Sequence, residues 1–189
     1  MTAGRLPRTP LHLPLRRRLL LQAAALLAAP ALGSSRASAA RLPPRALAFR
    51  HTHTGEALSF DYSPGASLVG EAWKRVVWFL RDFRTGEAHA IDPALLDQLY
   101  ALAVITRTKA AFQVISGYRS PATNETLRRR GGGVAIHSLH LEGRAIDIRL
   151  ADTRLDHLRD AAVSLSAGGV GFYPESQFVH IDTGRIRRW

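Results

Sequence analysis

The sequence predicts an α+β domain with a small, mostly antiparallel sheet flanked by helices. Three observations carry that prediction. Helical patterns come mainly early, short strands mainly late, and no strand–helix–strand repeat runs through the chain. With 46% hydrophobic and 22% charged residues over 189 positions, the chain has enough apolar material for one core.

The first 39 residues stand apart. They hold six arginines and no acidic residue. Arg16-Arg17-Arg18 precedes the apolar run Leu19 to Ala29, which is too short to span a bilayer comfortably. Pro30 and the small-residue segment Ala37-Ser38-Ala39 follow. That order of basic, apolar and small residues reads as a secretory signal over 1–39. Arg17-Arg18-Leu19-Leu20-Leu21 further resembles a twin-arginine signal, which makes the twin-arginine export machinery an expected partner. Residues 40–45, with Pro43-Pro44, read as a linker, and 46–189 as the folded domain. No stable membrane anchor is expected after signal removal, and the chain has no cysteine for a lipid anchor or a disulfide. The net charge of +11 falls to +5 once the first 39 residues are set aside. That balance suits an anionic polymer such as an acidic cell wall. No nucleic-acid motif accompanies it, so nucleic acid is not an expected partner.

The elements follow in order. Ala46 to His53 alternates apolar and polar residues, Thr54-Gly55 turns, and Leu58 to Tyr62 alternates again, which is a β-hairpin. His51 and His53 read as strand-face residues rather than ligands. Leu68, Ala72, Val76, Phe79 and Leu80 fall at helical spacing, with Trp73 and Trp78 as core or groove-lining residues. Asp92-Pro93 opens a helix to Arg107, with Asp as N-cap and Pro at the first helical position. Leu95, Leu96, Leu99, Leu102 and Ala103 form its buried stripe. Phe112 to Ser116 is a core strand that delivers Gly117-Tyr118-Arg119-Ser120 to its end. Ser120-Pro121 opens a helix to Arg129. Gly131-Gly132-Gly133 is a loop without the strand-and-helix context of a phosphate cradle. Ala145 to Leu150 reads as a strand. Asp152 or Thr153 caps a helix from Arg154 to Leu165, which Gly168-Gly169 ends. Val170 to Tyr173 and Phe178 to Asp182 are the last strands, and Gly184 begins a basic tail to Trp189.

The candidate chemistry lies in two of these segments. His140 and Asp147 flank Gly143, which lets the chain reverse so that both can face one point. His180 lies on the last strand, with Asp182 on the same face. Two histidines and a carboxylate are a common ligand set for catalytic zinc, which keeps a fourth position for water and lowers its pKa. Arg119 sits on a loop after a strand, placed to hold a substrate carboxylate bidentately or to stabilise an oxyanion.

Three ordered motifs together carry a resemblance. They are Ile115-Ser116-Gly117-Tyr118-Arg119-Ser120, then Ser138-x-His140-x-x-Gly143-x-Ala145-x-Asp147, then Gly169-x-Gly171-x-Tyr173-Pro174 leading to His180-x-Asp182. With the hairpin His51-Thr52-His53-Thr54-Gly55-Glu56, residues 46–189 resemble the zinc D-alanyl-D-alanine carboxypeptidase and murein endopeptidase family. The resemblance implies the α+β fold shared with hedgehog-type domains and one zinc ion bound by His140, Asp147 and His180. It implies that Arg119 faces the substrate, and that the reaction is hydrolysis of an amide in peptidoglycan cross-links. The expected location is the periplasm of a Gram-negative bacterium. Many relatives carry a carboxylate or histidine two or three residues before the last metal histidine, as general base. Here Phe178 and Gln177 stand there, and neither takes a proton usefully. Asp182 becomes the first choice for that role, its alternative being a carboxylate that orients His180. His137 is a weaker candidate, and Glu142 reads as an exposed turn residue. The alternatives to an endopeptidase are a non-catalytic peptidoglycan-binding domain and a D,D- or L,D-carboxypeptidase.

Overall fold

A computed structural model describes residues 45–62, 70–131 and 134–189. The expected signal, and the linker apart from Arg45, lie outside these residues. So do Leu68, at the start of the expected first helix, and Gly132 and Gly133 of the glycine loop.

Strands β1 (Arg45–His51) and β2 (Ala57–Tyr62) form the expected antiparallel hairpin, with Phe49 opposite Leu58. Alternation decides the faces: Leu47, Phe49 and His51 are all buried. Helix α1 (Glu71–Phe79) seats Val76 and Phe79 in the core. Trp73 packs at the core's edge, while Trp78 is exposed and carries the Arg81 guanidinium 4.3 Å above its ring.

Helix α2 (Pro93–Thr106) begins where the Asp92-Pro93 pair places it. The Asp92 carboxylate accepts from the Ala94 amide at 3.0 Å, and proline has no amide hydrogen to leave unpaired. Leu95, Leu96, Leu99 and Leu102 are completely buried, so each truncation to alanine costs about 2–5 kcal/mol. Strand β3 (Phe112–Ser116) leads into helix α3 (Pro121–Arg129), which Ser120 caps through its hydroxyl to the Thr123 amide. A single 3-10 turn, Leu139–Glu142, precedes strand β4 (Ala145–Arg149). Helix α4 (Leu155–Leu165) and strands β5 (Gly169–Tyr173), β6 (Phe178–Asp182) and β7 (Arg187–Arg188) complete the domain.

The sheet departs from the expected small, mostly antiparallel one. Its seven strands run β2-β1-β3-β4-β6-β5-β7, and it is mixed: β1 pairs with β3, and β5 with β7, in parallel. Parallel neighbours need a crossover of a dozen residues or more, and β2, α1 and α2 supply one between β1 and β3. The basic tail is not a plain tail, because Arg187 and Arg188 add to the sheet edge beside Gly169 and Val170. The capping of α4 also differs. Arg154 occupies its N-cap with no side-chain bond. Asp152 instead accepts from the Thr108 hydroxyl and the Lys109 and Ala110 amides. The helix ends at Ser166 in the left-handed region, before the two glycines.

Helices α2 and α4 pack on each other and on the sheet. Ile146 and Ile148 of β4 and Val179 and Ile181 of β6 join that core. The strand period of two sends Asp147, His180 and Asp182 to the opposite face. Among the described residues no helix is long and apolar enough to cross a membrane.

Candidate metal centre

Strands β4 and β6 set Asp147 directly opposite His180. The β3–β4 ladder shifts register between Val114 and Ser116, so β3 bends beside the site. The third group, His140, comes from the 3-10 turn. That turn closes on Gly143 at φ 65°, where a Cβ would also run into the Ala90 carbonyl. The Gly143 carbonyl accepts from the Asp92 amide at 2.9 Å, which ties the turn to the start of α2.

The three side chains converge, and all are buried. His140 Nε2 lies 3.2 Å from Asp147 Oδ1 and 3.1 Å from His180 Nδ1, and His180 Nδ1 lies 2.9 Å from the same oxygen. Neighbours decide the tautomers. The Gly117 carbonyl, 2.7 Å from His140 Nδ1, can only accept, so His140 carries its proton there and turns the Nε2 lone pair inward. Asp182 Oδ2 lies 3.1 Å from His180 Nε2, so that nitrogen donates and Nδ1 faces inward. Three ligand atoms at nearly equal separations face one point, an arrangement that needs positive charge between them, from a proton on His180 Nδ1 or from a metal cation in its place. Zinc with tetrahedral bonds of 2.0–2.1 Å sets its ligand atoms about 3.3 Å apart, close to the edges of this triangle. The donor set therefore fits a zinc ion.

The electrostatics draw positive charge into the cluster. Burial pushes His140 toward its neutral form, against the pull of Asp147. Burial also works to lower the His180 pKa, but Asp147 and Asp182 outweigh it and hold it at about 9, so without a metal His180 keeps a proton on Nδ1 that a bound cation would displace. The imidazoles keep Asp147 ionised despite burial.

Arg119 is brought to the same place. Its amide donates to the His140 carbonyl at 3.1 Å, its Nη2 lies 3.7 Å from Asp147 Oδ2, and Nη1 donates to Asn124 Oδ1 at 3.4 Å. Its Nε–H is buried without a partner. The cleft in front has a volume of about 310 Å³, and Arg119, His137, Tyr173, Phe178 and Trp189 line it together with the three converging groups.

Asp182 is fully buried behind His180. Its Oδ1 accepts from the Gly169 amide at 3.0 Å, the Gly184 amide at 2.8 Å and Arg187 Nη1 at 3.1 Å. Its Oδ2 accepts from Arg187 Nη2 at 2.7 Å as well as from His180. Burial would raise its pKa, but these donors keep it well below the usual carboxylate range. His137 lines the cleft and is exposed. Glu142 pairs with Arg144 at 3.0 Å. His51 is buried between Phe79 and Phe83, and His53 stacks on Phe83 at 4.3 Å, both apart from the cluster of His140, Asp147 and His180.

Sequence reasoning missed several supports. Buried Asp82 accepts from both the amide and the hydroxyl of Ser120, which fixes the residue after Arg119. Asn124 joins Arg119 to the Ala135 carbonyl. Neither has a local signal: Asp82 follows an apolar helix end, and Asn124 lies one turn inside α3. The roles of Arg187 and Trp189 were hidden in the basic tail.

A mixed-sheet domain places a buried His–Asp–His cluster, able to hold a metal ion, at the mouth of a cleft. A family model described as Peptidase_M15_2, peptidoglycan L,D-endopeptidase MepK, matches residues 38–189, and the chain belongs to that family. It is 44% identical over 146 residues to the peptidoglycan L,D-endopeptidase MepK of Escherichia coli K12, covering 77% of this chain and 80% of that one. It is 42% identical over 147 residues to the probable peptidoglycan L,D-endopeptidase MepK of Haemophilus influenzae, covering 77% and 79%. Among solved structures, the L-Ala D-Glu endopeptidase ChiX of Serratia marcescens matches 40% of this chain and 62% of its own, with 21% identity and a TM-score of 0.33.

Proposed function

We propose that this protein is a zinc-dependent peptidoglycan endopeptidase. The observation that supports it most is the convergence of three buried ligand atoms at zinc spacing, in a chain whose relatives are named peptidoglycan L,D-endopeptidases. His140, Asp147 and His180 hold one zinc ion. When bound, zinc supplies a water of lowered pKa and an electrophile for the scissile carbonyl. Arg119, which lines the cleft, offers its positive charge to a substrate oxygen. Asp182 takes the positioning role rather than the proton-accepting one, because both of its oxygens already carry bonds and it faces the outer nitrogen of His180.

The relatives' names point to an amide with its carbonyl on an L-centre and its nitrogen on a D-centre. A link between two diamino acids offers that pairing, whereas a D-alanyl link presents a D-carbonyl. The first 39 residues deliver the domain to the periplasm, through the twin-arginine route.

Digestion of purified cross-linked peptidoglycan, followed by mass analysis, tests the reading. Dimeric muropeptides should disappear, and both EDTA and His140→Ala should stop the loss. Binding to sacculi without cleavage would establish a wall-binding domain instead. Release of single terminal amino acids with the dimers intact would establish a carboxypeptidase.

A further inference from the structure

The Gly169-x-Gly171-x-Tyr173 run builds a wall of the cleft for which the metal ligands do not account. A Cβ on Gly169 would run into Arg187 Nη1 and lie 2.5 Å from Asp182 Oδ2. A Cβ on Gly171 would come within 2.7 Å of the Trp189 ring and 2.8 Å of the Tyr173 ring. The two missing side chains make room for β7 to bring Arg187 and Trp189 over β5. Backbone bonds lock that placement: the Phe172 amide donates to the Trp189 carbonyl at 3.0 Å, and the Trp189 amide to the Val170 carbonyl at 3.2 Å. Arg187, held by Asp182, lies 4.8 Å from the Trp189 ring. The indole sits 5.4 Å from the His180 ring.

The indole nitrogen can only donate, and it donates to the Tyr173 hydroxyl at 2.7 Å. That bond decides the polarity of the phenol. Its oxygen accepts from Trp189, so its own proton is free to be given elsewhere. The ring is fixed by stacking on Phe178 at 4.6 Å and 23°. Tyr173 lines the same cleft as Arg119 and the three metal ligands.

We propose that Tyr173 is a catalytic hydrogen-bond donor, its phenolic O–H, oriented by the Trp189 indole, binding the scissile carbonyl oxygen as negative charge builds there. The phenol keeps its proton throughout, and no bond to it breaks. Trp189 is a positioning residue that acts through Tyr173, and its N–H polarises the phenol further. A donor fixed before the reaction stabilises a developing oxyanion without reorganising. The proposal rests on the peptidase reading above.

The test uses the zinc-loaded protein and a purified cross-linked muropeptide dimer. Tyr173→Phe should lower kcat about 100-fold, the effect of removing one oxyanion donor. KM should stay within about threefold, and one zinc per chain should remain by elemental analysis. Affinity for a phosphinate isostere of the scissile amide should fall in parallel with kcat. Trp189→Phe keeps a ring against Arg187 but loses the N–H, and should lower kcat about fivefold, the effect of one net hydrogen bond. A kcat for Tyr173→Phe within threefold of wild type overturns the proposal, as does a loss of activity that tracks a loss of zinc. If Tyr173→Phe does not fold, an unchanged kcat for Trp189→Phe overturns it. An inactive zinc-loaded wild type would refute the peptidase reading itself, whereas an active wild type with an equally active Tyr173→Phe refutes only the role of Tyr173.

Discussion

Asp182→Asn separates a carboxylate that orients His180 from one that takes the proton. The carboxylate accepts three hydrogen bonds on Oδ1 and two on Oδ2. An amide of the same shape has one accepting oxygen and one NH₂ group. Whichever way it lies, at least two donors then face a donor. If the NH₂ replaces Oδ2, it meets His180 Nε2 and Arg187 Nη2; if it replaces Oδ1, it meets the Gly169 and Gly184 amides and Arg187 Nη1. Removing one partner of a buried charge pair costs about 3–5 kcal/mol. Arg187 is about one-third exposed, so the lower figure of about 3 kcal/mol is expected. For a domain of this size that lowers Tm by about 6–12 °C, readable by calorimetry. His180 loses its fixed tautomer, so zinc affinity should fall about 10–100-fold. Competition with a chromophoric chelator measures that fall, and cleavage measured at saturating zinc should recover a large part of the activity. Undiminished zinc affinity together with lost cleavage at saturating zinc would refute the argument and return Asp182 to the proton-accepting role.

Two further outcomes follow from the fold. Gly143→Ala places a Cβ on the Ala90 carbonyl at a positive φ, so it should destabilise the domain by about 2–3 kcal/mol and reduce bound zinc, measured by urea unfolding and elemental analysis. Wild-type stability without that change would mean that the 3-10 turn does not depend on this contact. His51 provides a pH dependence: burial, aided by the neighbouring His53 and arginine charges, lowers its pKa to about 4. The unfolded chain takes up that proton near pH 6.5 and the folded one only near 4, so the unfolded state binds more protons in that window and stability falls as pH falls through it. With part of the charge screened beside the exposed loop, the loss is about 2 kcal/mol relative to a His51→Phe variant. Parallel stability curves for the two proteins between pH 6.5 and 4 would refute that assignment.

The elements that were legible in the sequence are those made by neighbours along the chain. Asp92-Pro93 and Ser120-Pro121 each placed a helix start, because a capping side chain reaches only two or three residues onward. The hairpin followed from alternation, and the facing of His180 and Asp182 from a strand's period of two. Asp152 showed where that logic stops. It has a capping residue's chemistry, yet it serves the loop at Thr108 to Ala110, more than forty residues away along the chain.

The sequence by itself determined which residue types were available to hold a metal, in which segments they lie, and that the segments resemble one family. Tertiary structure decided the sheet's mixed order, because pairing β1 with β3 and β5 with β7 depends on crossovers that no local pattern encodes. It also decided the roles within the site. His140 faces inward through Nε2 because the Gly117 carbonyl takes its other proton. His180 faces inward through Nδ1 because Asp182 lies behind it. Asp182 is occupied because donors from β5, the turn after β6 and β7 meet on it. A side chain's chemistry belongs to its type, but its protonation and its free lone pairs belong to its neighbours, and only folding chooses those.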